Sequence, residues 1–141
     1  MSFKEIYQKV ENLKDLSIES ILERYSIQVI FMDVLPYNKL ALQCDQSIVL
    51  KNGLKDQEYK ILVLHEIGHY LFDRKCYYCN HRTEENNANI FMCLYLVHNK
   101  IWDDHYFDEY LIYQGIEPKV ARYFNDCVWQ FKRQQILQTA Y

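Results

Sequence analysis

His65 and His69 stand four residues apart inside Ile61-Leu62-Val63-Leu64-His65-Glu66-Ile67-Gly68-His69-Tyr70-Leu71, a largely apolar stretch without proline. Tyr59, Leu62, Val63, Ile67, Tyr70 and Leu71 recur at mixed three- and four-residue spacings, which predicts a helix over Lys55 to Phe72. Residues four apart share one helix face, so both imidazoles can reach a single metal ion at about 2.0–2.1 Å. Glu66 is turned by about 100° from His65. That offset leaves its carboxylate beside the open position of such an ion, where it can take a proton from a bound water. Gly68 fits a helix poorly, costing about 1 kcal/mol relative to alanine, and predicts a close approach by another backbone.

A catalytic zinc ion takes three protein ligands and a water, so His65 and His69 leave one position to fill. Thr83 followed by Glu84 and Glu85, with an apolar run behind, reads as a helix start with Thr83 as N-cap. Glu85, Ala88, Asn89, Met92 and Leu96 then form one inward stripe headed by a carboxylate. An antiparallel pair of helices joined through residues 73–82 would carry Glu85 toward the histidines, with Asn89 able to orient one of them by a hydrogen bond. Glu84 is the competing ligand. Either glutamate could instead only complement the helix dipole.

His65-Glu66-Ile67-Gly68-His69-Tyr70 followed by Glu85-Asn86-Asn87-Ala88-Asn89-Ile90-Phe91 resembles the paired motifs of the ImmA/IrrE-type zinc metallopeptidases. The resemblance implies that His65, His69 and Glu85 bind Zn2+, that Glu66 is the catalytic base, and that the motif helix is of the zincin, gluzincin-like type. It also implies a regulatory target, a helix-turn-helix transcriptional repressor of a prophage or mobile element. The chain departs from the family after Phe91, where Met92-Cys93-Leu94-Tyr95-Leu96-Val97-His98 lacks the usual proline. That departure touches the substrate pocket and the helix end rather than the metal.

The chain's 141 residues, half of them hydrophobic with only three glycines and two prolines, suit a single domain spanning residues 1–141 with no linker. Its longest apolar runs, Val29 to Met32 and Ile61 to Leu64, are too short to span a membrane, and its first residues carry no signal-peptide core. A cytoplasmic protein is expected. A net charge of -3 disfavours direct nucleic-acid binding, which needs a basic surface.

Further elements follow from local signals. Helices are predicted over Ser2 to Asn12 and over Ile18 to Tyr25, the second capped by Ser17. Ile27 to Phe31 reads as a strand, and Leu40 to Cys44 with Ser47 to Lys51 as a hairpin turning at Asp45-Gln46. Asp103 is an expected N-cap, Gly115 a helix stop, and Pro118 the first turn of a long helix toward Gln138. The class is α+β, mostly helical, with a small antiparallel sheet packed on the motif helix. By the resemblance, Ser47 to Lys51 would be the sheet edge above the metal, able to hold an extended peptide.

Cys76-Tyr77-Tyr78-Cys79, with His81 close by, lacks the second pair that a structural zinc site usually has, and reads as a plain loop first, with an accessory metal or redox clip as the alternative. Cys44, Cys93 and Cys127 read as small core residues. Asp103, Asp104, His105, Asp108 and Glu109 read as a solvated helix start, while His98, Tyr70 and Tyr95 are among many candidates for an oxyanion donor. The expectation is a zinc endopeptidase, with a zinc-stabilised module that sequesters a repressor without cutting it as the alternative.

Overall fold

The computed structural model describes residues 2–72 and 81–139. Cys76 and Cys79 lie outside the described residues, as does the side chain of His81. The chain folds as α1 (Phe3–Leu13), α2 (Ile18–Arg24), β1 (Gln28–Met32), β2 (Ala41–Cys44), β3 (Ser47–Lys51), α3 (Asp56–Phe72), α4 (His81–Val97), α5 (Asp108–Tyr113) and α6 (Pro118–Thr139). It is an α+β fold, mostly helical, with one three-stranded sheet. None of the described helices is long and apolar enough to cross a membrane.

The first two helices start where their caps dictate. Ser2 Oγ accepts from the Glu5 backbone N–H at 3.2 Å while the Glu5 carboxylate accepts from Ser2 N at 3.3 Å, a reciprocal capping box. Ser17 Oγ accepts from Ser20 N at 3.1 Å in the same way for α2. Ile6, Val10 and Leu13 then fall on one face of α1 and are buried, as are Ile18, Ile21 and Leu22 of α2.

The sheet differs from the all-antiparallel arrangement that local patterning predicts. β2 and β3 form the expected hairpin, with Asp45 in the left-handed region at φ 53°. β1, however, pairs with β3 in parallel, giving a mixed sheet of order β1-β3-β2. Hairpin pairing is signalled by a short turn, whereas the partner of β1 is chosen by which apolar faces can be buried together. β3 is therefore the central strand and not the edge that was expected above the metal. Burial of three consecutive residues, Ile48, Val49 and Leu50, is the mark of that central position.

α4 is the spine of the molecule, packed against α3, α1 and α6. Asn87, Ala88, Ile90, Phe91, Met92, Cys93, Leu94 and Val97 are all buried, so the apolar surface goes most of the way round the helix and is wider than the predicted stripe. The helix begins at His81, two residues before the Thr83 expected to cap it. Thr83 lies inside the first turn. Tyr95 Oη donates to the Leu16 carbonyl at 2.6 Å, and His98 Nε2 pairs with Glu11 at 2.5 Å, so both side chains fasten α1 and the segment after it to the end of α4.

α5 likewise starts at Asp108 and not at Asp103, which sits exposed in the preceding turn. The start is set from a distance: the Phe107 N–H donates to Asn125 Oδ1 of α6 at 2.9 Å while the Phe107 ring is buried. Gly115, at φ 100°, ends α5 as predicted, with Ile116 N bonded to the Leu111 carbonyl and Gly115 N to that of Ile112. Asp103, Asp104, His105 and Glu109 are exposed, as a solvated surface should be. Cys93 is buried and Cys127 half-buried, but Cys44 is exposed at the turn end of β2, contrary to its expected place in the core. A short edge strand leaves too little cover at its last residue.

Candidate metal centre

α3 places His65 and His69 on one face, with their rings 4.7 Å apart between centroids and nearly perpendicular at 85°. Both side chains are mostly buried. Glu85 reaches them from the second turn of α4. Its Oε1 lies 2.8 Å from His69 Nε2 and its Oε2 3.2 Å from His65 Nε2, while the two Nε2 atoms are 3.1 Å apart. A tetrahedral ion bound at about 2.0–2.1 Å separates its ligands by roughly 3.3 Å, so this triangle has the dimensions of one face of a zinc-sized tetrahedron. The group could hold a metal ion, and it is the His/Cys/Asp/Glu cluster able to do so among the described residues.

The electrostatics suit that role. Hydrogen bonds from His65 and then His69 hold the Glu85 carboxyl well below the usual carboxylate range, so it is an anion facing two imidazole nitrogens. Among the described residues, two imidazoles and one carboxylate supply three of the four positions of a tetrahedral zinc site. Glu84, the competing ligand, is not part of the group. The half-buried Asn89 makes no hydrogen bond to either histidine among the described residues.

Glu66 is 8% exposed and is held by no hydrogen bond among the described residues. Burial pushes its carboxyl up, an effect opposed by the nearby His65 and His69 and, more weakly, by Lys39. Lys39 precedes β2, and nothing in its local sequence marks it; only the tertiary fold brings its charge to bear on Glu66. Of the candidate oxyanion donors, Tyr95 and His98 are spent on the contacts to Leu16 and Glu11 described above. Tyr70 instead packs edge-on against Tyr25, with ring centroids 5.9 Å apart.

The precision of the triangle rests on Gly68 and Ala88. A Cβ at Gly68 would lie 2.8 Å from Ala88 Cα, 3.1 Å from its carbonyl oxygen and 3.2 Å from its Cβ. This is the close backbone approach that a glycine in mid-helix implied. Gly68→Ala is therefore expected to destabilise the protein despite gaining about 1 kcal/mol of helix propensity, because overpacking costs about 1–3 kcal/mol and a backbone atom cannot step aside. It should also weaken metal binding, since Ala88 is one turn from Glu85. Thermal unfolding and metal titration of the variant check this; an unchanged melting temperature with full metal affinity would contradict the packing described.

Comparison with protein-family models, with curated proteins and with solved structures found no match to this chain.

Proposed function

We propose that this protein is a zinc-dependent endopeptidase of the cytoplasm, cutting a helix-turn-helix repressor, with His65, His69 and Glu85 as metal ligands and Glu66 as the base. One observation carries the reading: two histidines and a carboxylate converge at 2.8–3.2 Å beside the buried Glu66, whose carboxylate makes no hydrogen bond among the described residues. Calcium and magnesium favour sets made wholly of oxygen, so two imidazoles with one carboxylate point to zinc. When bound, zinc supplies Lewis acidity, polarising a carbonyl and lowering the pKa of a water toward about 7.

The chain's own residues do the rest. Glu66, drawn largely out of water, accepts the proton of the attacking water and then delivers it to the departing amine nitrogen, which would otherwise leave as an unstable anion. With no hydrogen bond to it among the described residues, both oxygens are available for that shuttle. Glu85 holds His65 and His69 together through one oxygen each, fixing the rings for the metal. β2 packs on α3 and its side away from β3 carries no strand among the described residues, so the segment from Lys39 to Cys44 is the edge we assign to the extended substrate, in place of β3.

The repressor as substrate comes from the resemblance to ImmA/IrrE-type metallopeptidases, which the paired motifs carry. The test is to incubate the purified, zinc-loaded protein with the helix-turn-helix repressor encoded nearest to it and to follow fragments by mass spectrometry. Fragments that a chelator abolishes and added zinc restores are expected. An intact repressor that nevertheless co-purifies with the protein would overturn the peptidase reading and favour a sequestering module.

A further inference from the structure

β1 is an edge strand among the described residues, without charge, proline or bulge. Edge strands are ordinarily blunted by charges, proline, bulges or a covering element, because their open N–H and C=O groups recruit other strands. Gln28-Val29-Ile30-Phe31-Met32 contains no charge and no proline, pairs with β3 in unbroken register, and has no strand on its other side among the described residues. Ile30, Phe31 and Met32 are 42%, 53% and 48% exposed. Gln28 N donates to the Gln46 carbonyl and Asn52 N to that of Met32, so residues 28, 30 and 32 turn their backbone groups toward β3. By alternation, the N–H and C=O of Val29 and Phe31 point outward from the sheet.

That pattern matches itself under a two-fold rotation. Set antiparallel to a second β1 with Ile30 opposite Ile30, Val29 of one strand faces Phe31 of the other, and each such pair exchanges two hydrogen bonds. Ile30 then sits on the axis in the closely spaced, non-hydrogen-bonded pairing. The charges fit as well: the first charged residues on either side of the strand are Arg24 and Asp33, and the rotation brings the Asp33 end of one copy to the Arg24 end of the other. On the sheet face turned away from α3, Ile30 lies beside Val49 and Val49 beside Leu42, so pairing would make one apolar row across six strands. We propose that β1 is a homodimerisation edge, through which two copies of this chain join their sheets about a two-fold axis at Ile30. β2 stays free in that dimer.

Sedimentation velocity on the full chain across about 1 µM to 1 mM, the range of moderate to weak association, should show a monomer–dimer equilibrium. Ile30→Lys places two ammonium groups face to face on the axis and should weaken it by roughly tenfold or more, as should Ile30→Glu by itself. Mixing the two variants should restore association, because residue 30 meets only itself. Circular dichroism checks that each variant is folded, and Val34→Lys, 75% exposed but beyond the paired segment, should dimerise like the parent. A parent chain that stays monomeric throughout would overturn the proposal. So would open-ended growth, which signals β1 pairing with β2 of the next copy, or variants that each dimerise fully or fail to complement when mixed.

Discussion

Glu66→Gln is expected to leave metal content and folding intact while lowering cleavage of the repressor by about 10²- to 10⁴-fold, the usual cost of losing a general base. The substitution keeps the shape of the side chain and removes its ability to take a proton. Because Glu66 is not a member of the ligand triangle, metal affinity should be nearly unchanged. A neutral amide should also be easier to bury than the carboxylate whose charged form burial already disfavours, so the variant should be at least as stable as the parent. The measurement is a single-turnover cleavage assay beside metal analysis and thermal unfolding. Full cleavage by Glu66→Gln would remove this residue from the chemistry, and loss of metal along with activity would make it a ligand or a support for one.

Glu85→Ala should remove the metal. It takes away one of three ligands, and since even hydrogen-bond partners of ligands are worth about 10–100-fold in affinity, the loss should exceed about 100-fold. His65→Ala and His69→Ala should behave alike, and Glu84→Ala should bind as the parent does. Binding at 100 times the dissociation constant stabilises a fold by about 2.7 kcal/mol, so chelation of the parent should lower its melting temperature by roughly 6–12 °C. Glu85→Ala should melt at the same temperature with or without chelator. Retention of a full metal equivalent by Glu85→Ala would dismiss the triangle as a hydrogen-bonded cluster with no ion to hold.

Spacing along the chain was enough to place His65, Glu66 and His69 relative to one another, because a helix converts a four-residue interval into a shared face whatever surrounds it. The cap at Ser17, the Asp45 hairpin and the Gly115 stop were readable for the same reason, each being a hydrogen bond or a dihedral settled within a few residues. Gly68 announced that a backbone must come close, without saying whose. What the fold alone decided was non-local. Ala88 turned out to be the neighbour, and its contact with Gly68 sets how Glu85, which its stripe already favoured over Glu84, meets the two histidines. β1 joined β3 in parallel, which made Ser47–Lys51 the centre of the sheet and moved the free edge beside α3 to β2. The start of α5 was taken from Asp103 by the hydrogen bond between Phe107 and Asn125, and Lys39 was brought into the field of Glu66 from a loop with no motif. Each of these depends on two segments far apart in sequence burying surface against each other, and such a choice is made by the packing of the whole core, where no single stretch of residues records it.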